Sequence, residues 1–214
     1  MPPSSSKEVT SAGCPHVRFR AVLGERKVAG LLDHVHRRKD GFKLALVRDR
    51  NSGERRVDYE RRCALSLGDL GSFKAPIESF VSGIAAQVVQ RLELSETNLL
   101  VRDFEIAAFQ DGGRFGAHID TDERTNRVRV LSCVYYFAQT PARFSGGELR
   151  LYALPSLSAD GSPGFVDIAA ETDTMVVFPS WLRHEVLPVR VPSGAWMDGR
   201  FTVNCWLHRS PPGG

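Results

Sequence analysis

The sequence predicts a mostly β chain, a sandwich or jelly roll buttressed on its outer face by N-terminal α-helices. Three observations carry that expectation. Apolar residues recur at helical spacing in two segments of the first half. From residue 99 onward the period shortens from about 3.6 residues to 2. Turn signals then recur at Gly112-Gly113, Gly146-Gly147, "SADGSPG" and "PSGAWMDG", cutting the second half into short strands.

Taken in order, residues 1–20 open with "MPPSSSKEVTSAG", which lacks the apolar core of a signal peptide, and are expected to form a flexible N-terminal tail. Residues 21–214 are expected to form a single domain, with helical and hairpin support over 21–98 and a jelly-roll core over 99–208. Within 24–38, Val28, Leu31, Leu32 and Val35 mark one helical face. Within 76–92, Ile77, Phe80, Val81, Ile84, Val88 and Leu92 make a longer stripe, and Pro76 suits a first helical turn. Between them, the charge-dense residues 48–62, broken by Asn51-Ser52-Gly53, read as an exposed loop or hairpin, with a substrate-contacting flap as the alternative. Strands are expected at 99–109, 114–120, 127–138, 147–153, 164–168, 174–179, 183–190 and 199–208.

With 214 residues, 42% hydrophobic and 25% charged, the chain can bury one sizeable core. A net charge of +3 is too mild to predict a nucleic-acid partner. No window approaches the roughly 20 apolar residues of a membrane span, so no membrane partner is expected. Cys14, Cys63, Cys133 and Cys205 form no C-x-x-C pair, which argues against a disulfide framework or zinc knuckle and favours a reducing cytoplasm. Cys133 and Cys205 read as small buried hydrophobes.

The last expected strand, "RFTVNCWLH", alternates Phe201, Val203, Cys205 and Leu207 with Arg200, Thr202, Asn204, Trp206 and His208. One face should pack on the core, and the other is either solvated or lines a barrel interior shaped for a polar ligand. His118 and Asp120, in "GGRFGAHID", share a face of an extended segment. Alone they read as a polar turn; with a third group from another strand they can hold a metal. His184, in "VVFPSWLRHEVLPV", is the best candidate, since His16 falls in the tail, His34 and His36 on the first helix, and His208 near the C-terminus. Two imidazoles and one carboxylate leave open coordination positions, as in non-haem Fe(II) oxygenases and unlike closed structural zinc sites. Such an iron takes a bidentate 2-oxoacid, whose far carboxylate needs a buried cation. Arg200 supplies one, and Thr202 points the same way with a hydroxyl.

With these residues in place the sequence resembles the 2-oxoglutarate/Fe(II)-dependent oxygenases, and within them the prolyl-4-hydroxylase-like group. The resemblance covers most of 99–208 through "HID" with His184, "RVRVLSCVYYFAQ", "FSGGELRLY", "FPSWLRHEV" and "RFTVNCW". It implies a double-stranded β-helix, with Fe(II), 2-oxoglutarate and dioxygen as cofactor and co-substrates and ascorbate in support. It also implies that Tyr136 joins Arg200 and Thr202 on the far carboxylate. The implied reaction is hydroxylation of an unactivated C–H bond with release of succinate and carbon dioxide. The expected substrate is a prolyl residue in a protein or peptide; the alternative is a free amino acid or other small metabolite. Nucleic-acid demethylation is disfavoured by the mild charge and by Trp206, which stands where a second arginine would be needed. A cupin-like binding module is disfavoured because "HIDTDERTN" lacks the additional Glu and His of cupin sites.

The chain departs from the family at Phe109 and Phe115, where a tyrosine often precedes the glycine-rich approach, and in a longer His184–Arg200 spacing through "RVPSGAWMDG", expected to form a loop at the barrel mouth. Arg127 and Arg129 share a face and either border the mouth or pair with acids such as Asp122 and Glu123. Gly146 and Gly147 are expected to serve a tight turn without a catalytic role, and Trp206 to pack in the barrel.

Overall fold

A computed structural model describes residues 9–11, 13–48, 54–121, 128–153 and 164–210. The first half contains β1 (Val9–Ser11), β2 (Cys14–Arg20), α1 (Glu25–Arg37), β3 (Lys43–Leu44), β4 (Val47–Arg48), β5 (Arg55–Arg56), β6 (Arg62–Cys63), β7 (Leu65–Leu67) and α2 (Lys74–Arg91). Apart from a 3-10 turn at Trp196–Asp198, the described elements of the second half are strands: β8 (Leu99–Phe109), β9 (Arg114–His118), β10 (Arg129–Phe137), β11 (Ser145–Gly146), β12 (Leu149–Tyr152), β13 (Phe165–Ile168), β14 (Thr174–Pro179), β15 (His184–Val186), β16 (Val189–Arg190) and β17 (Arg200–Arg209). The described strands form an eight-stranded sheet, β1-β2-β14-β10-β17-β8-β7-β3, a five-stranded sheet, β13-β12-β15-β9-β6, and the pairs β11-β16 and β4-β5. This is a jelly roll, the expected fold class.

Alternation along the central strands assigns their faces. Leu131, Cys133, Tyr135 and Phe137 of β10 and Phe201, Val203, Cys205 and Leu207 of β17 join one core with Leu31 and Val35 of α1 and Ile77, Val81, Ile84 and Val88 of α2. Leu31, Ile77 and Val81 are wholly buried there, each contributing about 1.5–3 kcal/mol of apolar transfer. Ser132, Val134, Tyr136, Thr202, Asn204 and Trp206 therefore face the other way, toward the second sheet. Asp173 fixes the entry to α1, accepting from the Leu23 and Gly24 N–H groups and from the Tyr135 hydroxyl. No described helix is long and apolar enough to cross a membrane.

Four sequence expectations need correction. The tail does not extend to residue 20, because Cys14–Arg20 pairs with β14 and buries Val17 and Phe19 in the core. Its polar members are accommodated too: His16 hydrogen-bonds the Cys14 carbonyl, and Arg18 pairs with Glu171. The segment 183–190 is two strands, β15 in the five-stranded sheet and β16 on β11. The strand starting at 114 ends at His118, two residues short. The segment after Arg190 does not line the barrel mouth; Trp196 instead packs edge-on against Phe42 and Phe201, ring centroids 5.1 and 5.5 Å away, because a large indole gains most on the helix side. Of residues 48–62, those described form one arm of the β4–β5 hairpin and then β6.

Candidate metal centre and co-substrate pocket

His118 closes β9 and His184 opens β15, and the two are direct cross-strand partners. Beyond His118 the chain leaves the ladder: the Asp120 and Thr121 N–H groups both donate to the Ser180 carbonyl, at 2.9 and 3.2 Å. That turn brings the Asp120 carboxylate back against both imidazoles. Its oxygens lie 3.4 Å from His118 Nε2 and 3.6 Å from His184 Nε2, and the three potential ligand atoms are mutually within 4.8 Å. In the tautomer that donates Nδ1–H to the carbonyls of Gly116 (2.9 Å) and Leu182 (2.8 Å), each histidine presents the Nε2 lone pair toward Asp120. Burial, with the charge of His118, pushes His184 down to about 4 against the pull of Asp120, so it is neutral at physiological pH.

Burial opposes ionisation of Asp120, but His184, His118 and the Ser132 hydroxyl outweigh it and hold the carboxyl well below the usual carboxylate range. Asp120 Oδ2 accepts from Ser132 Oγ at 2.7 Å and from Trp206 Nε1 at 2.8 Å. Ser132 and Trp206 are themselves opposite one another on β10 and β17. Arg129 lies over the Trp206 ring at 3.9 Å and donates to Asp103 at 2.8 Å, pinning the indole from outside. Arg127, Asp122 and Glu123 lie outside the described residues. Replacing Trp206 by Phe keeps the ring and removes one donor; metal affinity is expected to fall about tenfold or more, checked by calorimetric titration with metal.

Deeper in, Arg200 is only 1% exposed, yet none of its three guanidinium nitrogens has a hydrogen-bond partner among the described residues. The Thr202 and Tyr136 hydroxyls beside it are buried and equally unpartnered. Burial draws the Arg200 pKa down, with Tyr136 and Glu148 opposing, but a guanidinium remains charged at neutral pH. The rings of Phe109 and Tyr136 flank the cation at 4.9 and 5.1 Å. Three buried groups that can all donate, with nothing to receive them, are a cradle for an anion. Gly147 makes room for it: at φ +72°, a Cβ there would lie 2.7 Å from Arg200 Cδ, so this glycine serves the pocket as well as the turn.

A cavity of about 1330 Å³ connects the two clusters. It is lined by His118, Asp120, His184, Arg200 and Thr202, while Tyr136 stands behind Arg200. That exceeds the usual ligand pocket of about 300–1,000 Å³ and leaves room for two ligands. The structure thus gathers five of the six sequence candidates around one space, with the sixth, Tyr136, packed against Arg200. Phe109 and Phe115 offer no hydroxyl to it; Phe115 stacks on His118, centroids 3.7 Å apart. Sequence reasoning missed Ser132 and the donor role of Trp206, although alternation had placed Trp206 on the polar face with Arg200 and Thr202.

A sequence profile of the 2OG-Fe(II) oxygenase superfamily matches residues 104–208, a span that holds both clusters. Residues 104–208 belong to that superfamily. Against this background the donor set fits the implied groups: two imidazoles and a carboxylate can hold Fe(II), and the unpartnered Arg200, Thr202 and Tyr136 can receive a carboxylate of 2-oxoglutarate. An uncharacterised PKHD-type hydroxylase from Synechocystis is 29% identical over 161 residues, 74% of this oxygenase and 53% of that protein, so the chain spans about half the length of the curated relative it matches. A prolyl-4-hydroxylase from Pseudomonas putida shares the fold with a TM-score of 0.63 at 21% identity, over 94% of this chain and 95% of that one. The carbocyclase SnoK from nogalamycin biosynthesis does so with a TM-score of 0.65 at 13% identity, over 97% and 87%. One fold thus carries different chemistries, and the substrate must be argued from side chains.

Proposed function

We propose that this oxygenase is an Fe(II)- and 2-oxoglutarate-dependent dioxygenase that hydroxylates an unactivated C–H bond, of a prolyl residue in a protein or peptide or, in the alternative, of a free amino acid or other small metabolite, and releases succinate and carbon dioxide. The observation that carries the reading is the buried pair Arg200 and Thr202, unpartnered among the described residues, which lines the same cavity as the His118–Asp120–His184 cluster with Tyr136 against the guanidinium. In this reading His118, Asp120 and His184 ligate the iron, and Arg200, Thr202 and Tyr136 hold the far carboxylate of 2-oxoglutarate. The bound iron supplies dioxygen activation; the chain supplies position and a shielded pocket.

The residues divide that work. The Gly116 and Leu182 carbonyls orient the two imidazoles, and Ser132 and Trp206 hold Asp120 as a carboxylate aimed between them. Arg200, charged and dry, selects a co-substrate with a second carboxylate over a monoacid, because only the former satisfies its N–H groups. Phe178 and Phe115, packed on the imidazoles, keep water from their flanks.

The test is succinate formation from 2-oxoglutarate by the full chain under air, with and without Fe(II), scored beside the mass gain of one oxygen atom on prolyl peptides. Iron-dependent succinate is the expected result. Its absence under every loading condition would contradict the assignment.

A further inference from the structure

We propose that the substrate presents a free α-carboxylate to Arg62, so that a free amino acid, or the C-terminal residue of a short peptide, is hydroxylated in preference to a residue inside a polypeptide. This rests on the oxygenase reading above and names its substrate class.

Arg62 opens β6 and turns into the cavity, although the charged run around it reads as a solvated loop. It is 9% exposed. Its guanidinium lies 4.9 Å above the Phe115 ring, and that ring is stacked on His118. The cation is therefore two stacked planes from a proposed iron ligand. Glu105 takes one N–H and the Leu46 carbonyl faces another at 3.4 Å, but Nε is buried without a partner. A guanidinium has five N–H donors in a fork that matches a carboxylate, so Glu105 holds Arg62 in place without exhausting it. Leaving a buried charged donor unsatisfied is costly, and a ligand carboxylate removes that cost.

The surroundings favour the same sign. Arg55 and Arg61 line the same cavity and make no ion pair among the described residues, whereas the acids there besides Glu105 are already engaged, Asp103 by Arg129 and Asp120 by the two histidines. The mouth thus keeps a positive surplus, which raises the local concentration of an anionic ligand. Distance then sets the size of the substrate. A carboxylate on Arg62 lies so near His118 that the reacting carbon can be only a few bonds from it. An internal peptide residue has an amide in that place, and an amide offers a guanidinium no charge.

Equilibrium binding to the full chain, loaded anaerobically with Fe(II) and 2-oxoglutarate, tests this. The probes are the common L-amino acids and their carboxamides, with glycyl dipeptides and dipeptide amides as a second arm. At least one free acid is expected to bind about ten- to a hundredfold more tightly than its amide. Arg62→Met should bring that ratio close to one, and Arg62→Lys should restore part of it. The two arms separate a free amino acid from a peptide C-terminus. Amides binding as well as acids, no acid binding at all, or a ratio unchanged in Arg62→Met would each overturn the proposal. The wild-type ratio needs no variant, so poor folding of Arg62→Met cannot hide the answer. Metal-dependent binding of 2-oxoglutarate, measured on the same samples, reports separately on the oxygenase reading, and its loss would overturn that reading instead.

Discussion

Replacing Arg200 by methionine is expected to weaken 2-oxoglutarate binding by about a hundredfold or more and, at the same time, to raise the melting temperature of the ligand-free chain. The two effects have one cause. A guanidinium held 1% exposed with no hydrogen-bond partner destabilises the empty pocket, and the same unmet donors supply the affinity for a carboxylate. A methionine of similar length fills the space between Phe109 and Tyr136 without charge, a change worth about 1–4 kcal/mol by analogy with other buried ionic groups. For a chain of this size each kcal/mol moves the melting temperature by about 2–4 °C. Added 2-oxoglutarate at a hundred times its Kd should stabilise the metal-loaded wild type by about 2.7 kcal/mol and leave the variant nearly unmoved. Thermal unfolding and calorimetry, run beside a 2-oxoacid monoacid of equal length, check both halves. The wild type should prefer the diacid strongly and the variant should not; an unchanged preference would remove Arg200 from the co-substrate site.

Asp120→Asn is expected to reduce metal affinity by a hundredfold or more, on the order of 3 kcal/mol, and to abolish succinate formation. The substitution conserves shape and removes charge. Both donors, Ser132 Oγ and Trp206 Nε1, converge on Oδ2, a place the amide oxygen can take, so the amide nitrogen falls on the His118 side, where it offers a metal no lone pair. His184→Ala removes a ligand outright and also opens a cavity beside Phe178, so it should lose metal and lower the melting temperature of the apo fold. Metal titrations and thermal unfolding on both variants separate the contributions. Retained iron-dependent turnover in either would exclude that residue as a ligand.

How far the sequence could be read depended on which contacts are local. Period-2 alternation placed β8 at 99–109 and β14 at 174–179 with the bounds the structure gives, because burial of one face is written into neighbouring residues. The same alternation in "CPHVRFR" was masked by the Ser- and Pro-rich opening before it, and only pairing with β14 shows that its arginines and histidine are buried. His118 and Asp120 were legible as a pair from their i, i+2 spacing, although a turn on the Ser180 carbonyl, and not strand alternation, brings Asp120 round to the imidazoles. The Trp206–Asp120 hydrogen bond joins residues 86 apart, a tertiary contact that no local pattern encodes. Arg62 was the least legible. It is one of several arginines in a charge-dense run, and what singles it out is the Phe115 ring beneath it and Glu105 beside it, from strands far along the chain. The segment around Trp196 was misplaced at the mouth for a related reason, since its partners Phe42 and Phe201 are set by tertiary packing.

The central claim is that one cavity holds iron at one end and the far carboxylate of 2-oxoglutarate at the other. A crystal structure determined anaerobically with Fe(II) and 2-oxoglutarate tests it most directly. The account predicts the metal on Nε2 of His118 and His184 and on the Asp120 carboxylate, with the far carboxylate of the co-substrate received by Arg200, Thr202 and Tyr136. Iron bound elsewhere, or 2-oxoglutarate with that carboxylate turned away from Arg200, would contradict it.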